Sequence, residues 1–198
     1  LFLTEDMVGP PYDADNMYGW AKLMGEMTLK AYSAEWGMKT ASCRYFTVYG
    51  ERGVENHAVI AMIARAFVRQ DPFEVWGSGE QIRNWTYVGD IVRGTILAAE
   101  RIEDGTAVNL GTMERIRVID AVKEVLRYTG HEARIELNTE MPTGPLNRVA
   151  DNSLAKRLLD WEPEVKFNDG LHSTIDHYFS TRKREDVEKI LKSMLTER

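Results

Sequence analysis

Tyr18 and Lys22 stand four residues apart in Tyr18-Gly19-Trp20-Ala21-Lys22, and residue pairs at that spacing share one face of a helix. A free phenol ionises near pH ~10 and is a poor base at neutrality. A neighbouring ammonium favours the phenolate, so the pair can move a proton to or from an alcohol. Of the eight tyrosines, only Tyr18 has lysine four residues later. The same spacing also arises as an ordinary surface pairing on an amphipathic helix.

Two arginines could meet an anion. Arg83 follows the turn Gly77-Ser78-Gly79, and its planar fork of donors suits a phosphate oxygen pair. Arg148 lies in the loop from Pro145 to Asp151, where a salt bridge to Asp151 is the plainer alternative. His172 and His177 are five apart and do not share a helix face, so no metal site is expected. The one cysteine, Cys43, sits in an apolar run and reads as a packed thiol; alone, it excludes an internal disulfide.

Positioning these groups requires alternating helices and strands. Two prolines and several acids make Leu1 to Asn16 a loop, and Asn16 suits the N-cap of a helix over 17–36 that Gly37 ends. Leu23, Met27 and Ala31, with Met24 and Thr28 beside them, give that helix one broad contact face. Strands are expected over 40–46, 73–76, 84–88, 107–110 and 133–137. Helices are expected over 59–68, from an Asp90 N-cap to about 101, 118–128, 153–159 and 170–179. A loop carrying two prolines spans 140–148, and a charged terminal helix starts near Arg182. This alternation predicts α/β organisation with partly parallel strands.

The 198 residues suit one domain or one and a half. Hydrophobic residues are 43% and charged residues 28%, enough apolar content for a core. A net charge of −6 gives no general attraction for nucleic acid or an anionic membrane. No apolar run is long enough to span a bilayer, and Thr4-Glu5-Asp6 directly after Leu1-Phe2-Leu3 argues against a signal peptide. A cytoplasmic location is expected.

The segment Pro10-Pro11 followed by Asn16-Met17-Tyr18-Gly19-Trp20-Ala21-Lys22-Leu23-Met24-Gly25-Glu26 resembles the extended short-chain dehydrogenase/reductase family, most closely its nucleotide-sugar epimerases and dehydratases. Further segments match in the family's order: Arg44-Tyr45-Phe46-Thr47-Val48-Tyr49-Gly50, Val75 to Asp90, Asn109-Leu110-Gly111, and Leu158 to Pro163 followed by Gly170-Leu171. The resemblance covers about residues 10 to 180. It implies the C-terminal part of a Rossmann-type doubly wound parallel sheet plus a smaller α/β substrate-binding region. Residues 1–55 would hold the catalytic helix, 56–182 mainly the substrate region with interleaved Rossmann elements, and 183–198 a helical tail.

By this resemblance the enzyme is an NAD-dependent nucleotide-sugar epimerase that transiently oxidises a sugar carbon, using NAD rather than NADP. A 4,6-dehydratase or a reductase of the same family is the alternative, and a non-catalytic nucleotide-sugar-binding remnant is the alternative of another class. Tyr18 would be the acid/base, and Lys22 would favour its phenolate and hydrogen-bond the nicotinamide ribose. Tyr45, Phe46 and Thr47 would lie near the nicotinamide, with Thr47 also at the substrate, where many epimerases carry asparagine. Asn56, His57, Val59 and Trp76 would line the nucleotide pocket, and Arg83 and Arg148 would bind the diphosphate. Val59 and Trp76 read equally well as core, and His57 as a helix-start residue. A homodimer is implied.

The family's opening Gly-x-x-Gly-x-x-Gly turn, which seats the dinucleotide diphosphate at a helix N-terminus, is absent from these residues. Its catalytic serine or threonine would fall before Leu1. The adenosine end of the cofactor site is therefore expected from a longer natural protein or from a partner chain.

Overall fold

A computed structural model describes residues 2–14, 16–141, 143–144 and 146–196. Pro142 and Pro145 of the expected proline loop lie outside the described residues. After a short 3-10 turn at Glu5–Met7, the first long element is α1 (Met17–Trp36). It starts where the Asn16 side chain accepts the Gly19 N–H at 3.0 Å, and it ends at Gly37, whose φ of 63° is the left-handed backbone that glycine adopts without a Cβ penalty.

The chain continues through β1 (Thr40–Tyr45), β2 (Val48–Tyr49), α2 (Ala58–Phe67), β3 (Phe73–Trp76), β4 (Ile82–Arg83) and β5 (Thr86–Tyr87). Then come α3 (Val88–Arg101), β6 (Asp104–Leu110), β7 (Ile116–Arg117), α4 (Val118–Thr129), β8 (Ile135–Asn138) and β9 (Asn147–Arg148). The helices α5 (Ser153–Leu159), α6 (Phe167–Thr181) and α7 (Arg184–Thr196) complete it. β1 pairs in parallel with β6, β2 with β5, and β3 with β8; β4 lies between a parallel β9 and an antiparallel β7.

Strand alternation sets up two layers around β1 and β6. Ala41 and Cys43 point to a core of Ile91, Ala98 and Ile102 from α3, Val108 and Leu110 from β6, and Ala155, Leu159 and Trp161. Burial pushes the Cys43 thiol up, which disfavours a reactive thiolate. The opposite residues face α1: Thr40 Oγ1 donates to the Leu29 carbonyl at 3.1 Å, and Arg44 makes a two-pronged ion pair with Glu26 at 2.8 and 2.7 Å. That pair is largely buried, and its fork geometry fixes the rotation of α1 over the sheet. Gly105 lets α1 come close, since a Cβ there would lie 2.9 Å from the Lys30 backbone.

A second, larger core joins α2, α4, α6 and α7 to β2, β3, β5, β7 and β8, with Phe73, Trp85, Val122, Phe167 and Leu171 at its centre. Trp85 and Phe167 stack with centroids 5.4 Å apart. On the expected contact face of α1, Leu23 is buried, while Met24 and Met27 are 55% and 39% exposed. One expectation changes. Asp90 does not cap α3: Tyr87 holds the N-cap position, and Asp90 sits inside the first turn. Its buried carboxylate instead accepts the backbone N–H groups of Glu164 and Val165, both at 3.0 Å, and pairs with Arg93 at 2.8 Å. Trp161 Nε1 donates to the Asp90 carbonyl at 3.0 Å. A first-turn acid was recognised as a helix-start signal, but the long-range loop it anchors leaves no local trace in the sequence.

Candidate functional site

A cavity of about 290 Å³ lies between α2, α4, α7 and the β3–β4 region. Along α2, Ala58, Ala61, Met62 and Arg65 line it, at spacings that put them on one stripe of the helix. Small residues at its start leave room, and Arg65 brings a donor fork. Thr47, Asn56, Trp76 and Arg83 line the same cavity, so the structure brings together four of the expected site residues.

Thr47 lies between β1 and β2 in a left-handed conformation, φ 38°, an uncommon state for a β-branched residue. Its carbonyl accepts the Thr86 N–H at 3.0 Å, which ties it to β5 and orients it towards the cavity wall. Strain of this kind concentrates at ligand sites.

Arg83 and Arg148 are register partners on the parallel strands β4 and β9. Side chains paired this way leave the same face of a sheet at close range. Arg83 also donates to the Thr143 carbonyl at 2.6 Å and to the Ile82 carbonyl at 2.8 Å. Burial, and then the Arg148 charge, pull the Arg83 guanidinium below its ordinary value. Arg83 lines the cavity, while Arg148 is exposed and lies off the lining beside it; two like charges placed this way suit an anion carrying two charges.

Tyr18 and Lys22 lie outside this cavity, on the solvent side of α1. The phenol is 72% exposed, and Lys22 Nζ sits 5.1 Å from its ring centroid, so the two side chains are aimed together. Tyr45 is half-exposed with its hydroxyl 3.1 Å from Thr95 Oγ1, and Phe46 is buried. Val59 is 2% exposed and packs in the larger core rather than on the cavity wall. His57 occupies the N-cap position of α2 without a side-chain cap bond and is not a lining residue.

Sequence reading missed Glu55, Arg65, Gln81, Thr143 and Leu191 on the lining. Gln81 is 3% exposed; its amide nitrogen donates to the Trp76 carbonyl at 2.9 Å, while Oε1 has no donor among the described residues. A buried acceptor in that condition is satisfied by a ligand or water donor. Arg65, charged on an otherwise apolar helix, was the one available signal; the others become neighbours only through the fold. A second cavity of about 250 Å³, lined by Glu51, Arg52, His177 and Arg182 among others, holds none of the expected site residues. Among the described residues, no group of three His, Cys, Asp or Glu side chains is placed to hold a metal ion. No helix among them is long and apolar enough to cross a membrane.

Helices packed against parallel strand pairs give a Rossmann-like α/β fold, and it carries a helix-borne Tyr–Lys pair and an arginine-edged cavity. Residues 3–111, more than half of the chain, match the model of the NAD dependent epimerase/dehydratase family, and the chain belongs to that family. It is 32% identical over 169 residues to an uncharacterized UDP-glucose epimerase of Bacillus subtilis (strain 168), covering 85% of this chain and 53% of that one. It is 30% identical over 183 residues to GDP-mannose 3,5-epimerase 1 of Oryza sativa subsp. indica, covering 90% and 47%. The chain spans about half the length of the curated relatives it matches. Among solved structures, UDP-glucuronic acid 4-epimerase from Bacillus cereus in complex with NAD superposes with a TM-score of 0.79 at 29% identity, over 92% of this chain and 57% of that one. UDP-glucose 4-epimerase from Thermotoga maritima with UDP-glucose gives 0.74 at 30% identity, over 83% and 53%.

Proposed function

We propose that this chain is the substrate-binding and acid–base portion of an NAD-dependent nucleotide-sugar epimerase. The observation that carries the reading is the cavity edged by Arg83, with Arg148 in register beside it. Two guanidinium groups offset the charge of a diphosphate and fix its orientation. Support comes from relatives named for epimerisation of UDP- and GDP-linked sugars, and from neighbours solved with NAD or UDP-glucose.

In this reading Tyr18 takes the proton from a sugar hydroxyl and later returns it, while Lys22, beside its ring, holds the nicotinamide ribose. NAD, when bound, supplies the hydride acceptor and donor. The exposed phenol with an ammonium at its ring fits the nicotinamide end of that cofactor. The glycine-rich turn for the adenosine end is not among these residues, and preceding sequence or a partner chain is the proposed source. Thr47 contacts the sugar near the nicotinamide, and Asn56 and Trp76 contact the nucleotide. Residues 1–55 serve the acid–base step, 56–182 mainly the substrate with interleaved Rossmann elements, and 183–198 form a helical tail whose Leu191 reaches the cavity. A cytoplasmic homodimer is part of the same reading, with the exposed Met17, Trp20, Met24 and Met27 stripe of α1 as the contact.

The test is incubation of the whole gene product with UDP-glucose, UDP-glucuronate and GDP-mannose without added cofactor, with products separated by chromatography. An epimer of one of them, with no net change in NADH, is the expected result. Product formed only with stoichiometric consumption of a reduced nicotinamide would make the enzyme a reductase. A 4-keto-6-deoxy product would make it a dehydratase.

A further inference from the structure

Resting on the reading of the cavity as a nucleotide-sugar site, we propose that the C-terminal helix α7 forms the wall against which the nucleobase packs. Leu191 is then a residue that sets nucleotide affinity and base preference. The family model ends at residue 111, so this wall is supplied by a part of the chain outside the matched segment.

Three observations support it. First, α7 is docked: Val187 is fully buried, and Arg184 Nη2 donates to the Val68 carbonyl at 2.7 Å, just past the end of α2. Second, Leu191 lies one helical turn beyond Val187, on the same face of α7. It packs against the larger core and reaches the cavity lining. Third, the chemistry of the surrounding lining suits a heteroaromatic ring. Met62, Val118 and Val122 are apolar, and the polar groups of Arg65, Gln70 and Glu74 stand among them. A planar base needs such apolar faces with a few edge donors and acceptors, whereas the diphosphate needs the cations. The adjacent cations Arg83 and Arg148 come from the β4–β9 strands, whereas α2, with Arg65 its single cation on the lining, and α7 form a separate wall. Substrate affinity is thereby tied to the seating of the last helix.

The experiment is calorimetric titration of the whole gene product with UDP and with GDP, comparing wild type, Leu191→Ala, Leu191→Trp and the exposed-face control Lys189→Ala. Melting temperatures are measured in parallel without ligand. Leu191→Trp is expected to weaken the tighter-binding nucleotide about tenfold or more by filling the space the base needs. Leu191→Ala is expected to weaken it by less and to narrow the difference between UDP and GDP. Lys189→Ala should bind as wild type. Folded Leu191 variants that bind both nucleotides within about twofold of wild type would overturn the proposal. If Leu191→Trp does not fold, Leu191→Ala decides by the same criterion. A wild type that binds neither nucleotide sinks the underlying cavity reading, a result distinct from an unaltered Leu191 variant.

Discussion

Thr47 shows what a single residue contributes beyond its hydroxyl. Its left-handed backbone costs about 1–3 kcal/mol for a non-glycine residue, and the Thr86 N–H bond holds it there. Asparagine tolerates that backbone far better than a β-branched residue does. Thr47→Asn is therefore expected to stabilise the protein by up to about 1 kcal/mol in urea unfolding, while altering KM for the sugar nucleotide, since an amide replaces a hydroxyl at the cavity wall. Equal or lower stability would show that Thr47 carries no releasable strain. Motif order marked Thr47 and Arg83, which the structure puts on the cavity lining, while Tyr18 and Lys22, marked by their spacing, stand outside it. Gln81 and Glu55 were not legible in the sequence, because a neighbouring motif residue and a turn acid reveal a cavity role only when distant elements pack around them.

Among the elements, helix limits were read well where local chemistry decides them, as at Asn16 and Gly37 of α1. They were read poorly where tertiary contacts decide. Asp90 serves a loop more than 70 residues away, and β9 forms within what reads as a proline loop because β4 offers it an edge. The junction of α4 with α6 gives a pH-dependent prediction. Arg127 hydrogen bonds hold the Glu124 carboxyl down to about 2 against the opposing effect of burial, with His172 of α6 adding a further bond. The His172 ring stacks on Tyr128, centroids 3.8 Å apart. A carboxyl depressed in the folded state stabilises above its unfolded value near ~4.3 and loses that contribution as pH falls towards the folded value. Glu124→Gln should therefore cost about 1 kcal/mol at pH 6, allowing for solvent screening. The gap from wild type should close progressively between about pH 5 and pH 2. Urea midpoints measured across that range check it, and a gap independent of pH would remove Glu124 ionisation from the account.

Across the whole molecule, one core serves the sheet of β1 and β6 while the other surrounds the cavity, and the chain crosses between them repeatedly. Strand–helix alternation made the α/β class legible, but nothing local says that α7 returns to α2 or that β4 lies between β7 and β9. Those contacts join residues far apart in sequence, and their pairing is chosen by global packing. The same packing leaves Tyr18 on an exposed helix outside the cavity, so the proposed chemistry depends on a substrate that extends from the arginines to the phenol. The most direct measurement is turnover and nucleotide-sugar affinity of Tyr18→Phe in the whole gene product. The account predicts a fall in kcat of about a hundredfold or more, with the dissociation constant of the sugar nucleotide essentially unchanged. A variant that turns over at the wild-type rate would contradict it.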